Sequence, residues 1–77
     1  MTTPKPKPLG DRIRDLREAT TVEVVREGPM TQSTLAERAG ISQAFLHQIE
    51  AGIKQPSLAT LRALAEALGV PVGELVD

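Results

Sequence analysis

A glycine lodged between two short helical patterns constrains this chain more than any other feature. In the stretch Thr31–Ser57, TQSTLAERAGISQAFLHQIEAGIKQPS, Leu35, Ala36 and Ala39 recur at helical spacing up to Gly40, and Leu46 and Ile49 resume the pattern shortly after it. Gly40 is predicted to stop the first of these helices in the left-handed conformation that glycine reaches without steric cost. Thr31 and Ser42 are placed to cap the two helices, each hydroxyl taking an N–H that the first turn leaves free. Ile41 is apolar in an otherwise polar turn and is expected to plug the angle between the helices. The pattern predicts one helix over about Gln32–Ala39 and a second over about Gln43–Ala51, closed by Gly52.

The flanking segments extend the same logic. Leu9, Ile13 and Leu16 predict a first helix, with Pro8 at its entry and Asp11 in its positive first turn. Ser57 caps a further helix whose Leu58, Leu61, Leu64, Ala65 and Leu68 form a broad apolar stripe, which in so short a chain reads as core. Gly69 ends it, and Pro71 opens a last turn, VGEL, from which Leu75 folds back onto the core. Residues 1–8, MTTPKPKP, are too proline-rich for helix or strand and are expected to be a disordered basic arm. Residues 9–77 then form one domain.

Composition narrows the function. With 77 residues and no cysteine there is room for one small core, no thiolate metal site and no disulfide, which fits a cytoplasmic protein. No apolar run is long enough to span a bilayer. His47 is the only histidine, so neither a histidine-based metal site nor a catalytic triad can be assembled. No glycine-rich phosphate loop is present, and the reading is of a protein that is not an enzyme and needs no cofactor. The net charge of −1 is not a basic footprint. Lys5, Lys7, Arg12, Arg14, Arg17 and Arg26 nevertheless gather toward the N-terminus, which leaves room for one positive face.

The helix over Gln43–Ala51 has two unlike sides. Leu46, Ile49 and Glu50 share one, and Ala44, His47, Gln48 and Ala51 share the other, with Gln43 in the exposed first turn. A surface of amides and small side chains carries almost no charge. It suits the DNA major groove, where an amide pairs with adenine and a small residue permits close approach. His47 is counted with this face, although a lone exposed histidine is as readily a bystander. Phe45, the only aromatic, is open to two roles: contact with a thymine methyl, or packing on the core.

Two short helices about a glycine-bearing turn form a helix-turn-helix unit. Three segments in order, TQxxLAxxAGIS, LxxIExG and PSLxTLxxLAxALGV, make the chain from about Leu9 to Leu75 resemble the phage-repressor-like (XRE) family of DNA-binding regulators. That resemblance implies an all-α, compact five-helix lambda-repressor-like domain with an extended connection between helices 1 and 2. It implies a sequence-specific transcriptional regulator that binds double-stranded DNA as a homodimer. Gln43, Ala44 and Gln48 would read bases, with His47 beside them; Gln32, Ser42 and Lys54 would hold the DNA backbone. Ile53 stands where the family often has a basic residue, which leaves open an antitoxin-like or accessory module with a protein partner. Family dimers form more usually through the C-terminal end, where Val72, Leu75 and Val76 are available. A carboxylate at Glu50, on the core side of helix 3, would be costly alone, and the resemblance suggests that Arg17 on helix 1 meets it as a buried ion pair.

The connection departs from the family. About residues 19–30 are an insertion, through whose first part helix 1 is expected to continue to about Val25 or Arg26 before Gly28-Pro29 stops it. Val22, Val24 and Val25 are expected to pack back within the subunit, on helix 4 or its C-terminal turn, the alternative being part of a homodimer contact.

Overall fold

The computed structural model describes residues 7–23 and 27–76. Four α-helices are present among them: α1 Leu9–Ala19, α2 Gln32–Ala39, α3 Gln43–Glu50 and α4 Leu58–Leu68. A short 3-10 turn, Val72–Glu74, follows α4. The expected fifth helix is therefore corrected to this single turn: Pro71 caps it, Gly73 inside it is a poor helix former, and three residues are too few for an α-helix to propagate.

The caps expected from the sequence have defined geometry. Thr31 Oγ1 accepts from the Thr34 N–H at 3.1 Å, Ser42 Oγ from Phe45 at 3.0 Å and Ser57 Oγ from Thr60 at 3.2 Å. Gly40 lies at φ 73°, and the Ile41 N–H reaches back to the Ala36 carbonyl at 3.0 Å. Ile41 is half-buried and packs against the core.

The connection between α1 and α2 is where expectation and structure part. Helix α1 stops at Ala19, not at Val25 or Arg26: Thr20 is extended, at φ −92° and ψ 120°, and its hydroxyl donates to the Leu16 carbonyl at 2.7 Å. Two strands follow, β1 Thr21–Glu23 and β2 Glu27–Pro29, antiparallel, with Thr21 opposite Pro29, Val22 opposite Gly28 and Glu23 opposite Glu27. The Met30 N–H donates to the Thr20 carbonyl at 2.9 Å and continues the ladder. Among the described residues the regular structure is thus helical apart from this two-stranded ribbon. A run of β-branched residues gains more as paired strand than as a helix projecting into solvent. Burial of Met30, 1% exposed, fixes the ribbon's return to the core. The packing expected of Val22, Val24 and Val25 lies outside the described residues.

One core holds the helices together. Ile13 from α1, Met30, Leu35 and Ala36 from α2, Leu46 and Ile49 from α3, Leu61, Leu64, Ala65 and Leu68 from α4, and Leu75 are all buried. Helix α2 packs on α4 and on α3, while α1 lies across α3. Leu9, Leu16, Phe45 and Val72 border this cluster half-buried, so Phe45 packs on the core.

Candidate nucleic-acid interface

The outer surface of α3 is set by what lies beneath it. Helix α1 approaches the C-terminal end of α3 so closely that a Cβ at Gly10 would lie 2.4 Å from the Glu50 carbonyl oxygen and 2.6 Å from that of Ile49. Only glycine fits there, and it lets the two backbones touch. Seven residues further along α1, Arg17 reaches the same end of α3. Its Nε donates to Glu50 Oε2 at 2.8 Å and its Nη2 to Glu50 Oε1 at 2.9 Å, while Nη1 donates to the Met30 carbonyl at 2.9 Å. The two residues lie within a bidentate pair's reach, and both are buried, Arg17 at 9% and Glu50 at 4% exposure. The guanidinium thereby ties α1, α3 and the end of the ribbon at one point.

Gln32, in the first turn of α2, joins this cluster from the outside. Its Nε2 donates to Glu50 Oε1 at 3.1 Å. Among the described residues no buried side-chain nitrogen or oxygen is left without a partner. Around Gln32 the outer surface of α3 forms a shallow depression lined by Gln32, Gln43, Ala44, His47 and Gln48. Gln43, Ala44 and His47 are exposed; Gln32 and Gln48 are half-buried. Four of the five expected base- and backbone-facing side chains of α2 and α3 in this depression are polar, and none is lysine, arginine or carboxylate.

Two other expected backbone contacts stand apart from that depression. Ser42 is exposed at the entry of α3; its oxygen serves as a cap, which leaves its O–H as a donor. Lys54 is exposed in the loop after α3, a loop pinned by N–H bonds from Ile53 and Lys54 to the Gln48 carbonyl, at 2.9 and 3.2 Å. Ile53, beside it, is 68% exposed. The roles of Gly10, the Met30 carbonyl and the Gln32–Glu50 bond do not follow from the sequence. A glycine inside a helical pattern is the one available signal of close backbone approach, and it concerns Gly10 alone. Among the described residues no group of histidines and carboxylates could hold a metal, and no helix is long and apolar enough to cross a membrane.

Comparison with known proteins agrees with this architecture. The immunity repressor protein of Bacillus phage phi105 is 40% identical over 68 residues, covering 88% of this chain and 42% of the repressor. The chain thus spans less than half the length of that relative. The HTH-type transcriptional regulator y4dJ of Sinorhizobium fredii is 39% identical over 64 residues, 83% of each protein. Among solved structures, the N-terminal DNA-binding domain of SinR from Bacillus subtilis superposes with a TM-score of 0.75 at 30% identity, covering 90% of both chains. A family model described as a helix-turn-helix domain matches residues 8–77. The chain belongs to the helix-turn-helix domain family.

Proposed function

We propose that this protein is a sequence-specific DNA-binding transcriptional regulator, working in the cytoplasm as a homodimer that lays α3 of each subunit in successive major grooves. The observation that carries the reading is the uncharged, amide-bearing depression over α2 and α3, borne on a fold shared with the SinR DNA-binding domain. Gln43 and Gln48 would read base edges, Ala44 would allow close approach, and His47 would sit at the same groove. Gln32, Ser42 and Lys54 would hold phosphates, which fix register without reading sequence. With a net charge of −1 the chain has little long-range attraction for DNA, so affinity should be modest and salt-sensitive. Its relatives carry repressor and regulator names, in keeping with a binding protein rather than an enzyme.

Selection of duplexes from a random library, followed by anisotropy titration at several salt concentrations, tests this reading. An enriched duplex should bind at least ~10³-fold more tightly than random DNA. Equal binding to every duplex, or none, would overturn it. A second reading, an antitoxin-like or accessory module with a protein partner, draws on the exposed apolar side chains of Ile53 and Leu58, at 68% and 57% exposure.

A further inference from the structure

Gln32 belongs to two environments at once. Gln32 lines the depression beside Gln43 and Gln48, and its amide donates to the carboxylate of Glu50, whose side chain is 3% exposed. A glutamine amide on its own can turn either its oxygen or its nitrogen toward a neighbour. An ionised carboxylate only accepts, so the end of the amide against Glu50 must be the NH₂. One of the two N–H bonds is spent on Oε1, and the second stays available at a fixed position. Glu50 cannot swing to follow a wandering amide, because Arg17 grips both of its oxygens. The guanidinium also offsets the carboxylate's charge, which would otherwise repel a phosphate approaching Gln32.

We infer that Glu50 is a positioning residue for DNA: it holds the Gln32 amide in the one orientation whose remaining N–H can be given to a phosphate oxygen. The ion pair that closes the junction of α1 and α3 thereby sets a donor on the DNA-facing surface. This inference rests on the DNA-binding reading above. It assigns Glu50 a role beyond stability, although Glu50 itself touches no DNA.

The test is a double-variant cycle on DNA affinity, using the duplex enriched by the wild-type chain. Gln32→Ala removes the donor. Arg17→Met with Glu50→Met removes the orienting carboxylate without stranding a charge, since apolar replacement of a whole buried pair is tolerated where loss of one partner is not. Each should weaken binding by about threefold to tenfold, the range of one hydrogen bond. The triple variant should be no weaker than either alone. The salt dependence should stay as in wild type, because Gln32 carries no charge. Losses that multiply in the triple variant, or wild-type affinity in the Met pair, would overturn the inference.

Nuclear magnetic resonance on the wild-type chain probes the same amide without any variant. One Gln32 side-chain proton should be protected from exchange in the free protein, and the second should become protected only on adding the duplex. Two unprotected protons in the free protein would overturn the positioning. A wild-type chain that binds no duplex would instead overturn the DNA-binding reading, and the inference with it.

Discussion

Helix α3 has two faces built on opposite principles. The inner face is apolar but for Glu50, whose charge is met by three donors from Arg17 and Gln32. The outer face, Gln43, Ala44, His47 and Gln48, is polar yet almost uncharged. Taking a charge out of water demands a complete set of partners, and so the inner face has one fixed answer. The outer face leaves its amides open to solvent and so keeps its hydrogen-bonding capacity for a ligand. A substitution inside should therefore act first on stability, and reach binding only through Gln32, whereas one outside should act on binding alone.

The largest effect separating the two faces is expected at Glu50. Glu50→Ala strands the Arg17 guanidinium in a buried site and should cost about 3–5 kcal/mol of folding free energy in urea denaturation. A loss below about 1 kcal/mol would mean that water reaches the guanidinium, and the contrast between faces would collapse. Next comes Gly10. In a free helix, glycine to alanine stabilises. Here the added methyl meets two backbone carbonyls, at 2.4 and 2.6 Å, which cannot rotate aside. Gly10→Ala should accordingly destabilise by about 1–3 kcal/mol, the range of overpacking. A gain in stability would show that α1 slides freely over α3.

The outer face should behave in the opposite way. Gln43→Ala and Gln48→Ala should each leave stability within about 0.5 kcal/mol. Each should relax discrimination between the selected duplex and its single-base variants by about 1–3 kcal/mol, if the amide reads a base edge in a bidentate way. Lys54→Ala should instead weaken all duplexes alike and reduce the salt slope by about 1. Equal losses on selected and random DNA for the glutamine variants would end the claim that α3 reads sequence.

The two faces are not equally legible from the sequence, and neither is the rest of the fold. Thr31, Gly40, Ser42 and Ser57 announce helix ends because capping is a local matter, settled within a few residues. The glycine turn is equally plain, and so is the leucine spacing of α4 from Leu61 onward. Leu58, expected in the same core stripe, is instead 57% exposed, because it sits in the first turn beyond the reach of the other helices. The ribbon is not plain. Thr21–Glu23 and Glu27–Pro29 pair only because each meets the other, and Met30 finds the core only once the chain has returned. Nothing local at Thr20 distinguishes that outcome from two more helical turns except a mediocre helix propensity. The VGEL turn is legible as a turn, and only the resemblance implies a fifth helix there. The bonds from Glu74 to Pro71 and from Leu75 to Val72 close a single 3-10 turn, which the burial of Leu75, at 1% exposure, anchors on the core. Gly10 and the Gln32–Glu50 bond depend on how closely α1, α2 and α3 approach, a distance that periodicity does not encode.

An exposed ion pair ties the chain just before α1 to the helix itself. Lys7 pairs with Asp15 on the outer side of α1, as Arg17 pairs with Glu50 on its inner side, but the side chains are 65% and 44% exposed. The Lys7 hydrogen bond, with the opposite charge, holds the Asp15 carboxyl below its ordinary value, and Asp15 in the same way raises the Lys7 ammonium. The carboxylate side of the pair therefore contributes above the ordinary aspartate range and fades as the pH falls toward the lowered folded value. The ammonium side is fully present below the ordinary lysine range and is lost only as the pH rises through the raised value. At neutral pH both charges are in place, yet water screens them and competes for every bond. Asp15→Asn should give a urea midpoint at neutral pH indistinguishable from wild type. The acid limb of its stability profile should show at most a slight separation that added salt removes. A clear shift of the acid midpoint that persists in high salt would mean the outer pair is shielded after all. Exposure to water would then not be what distinguishes the two sides of α1.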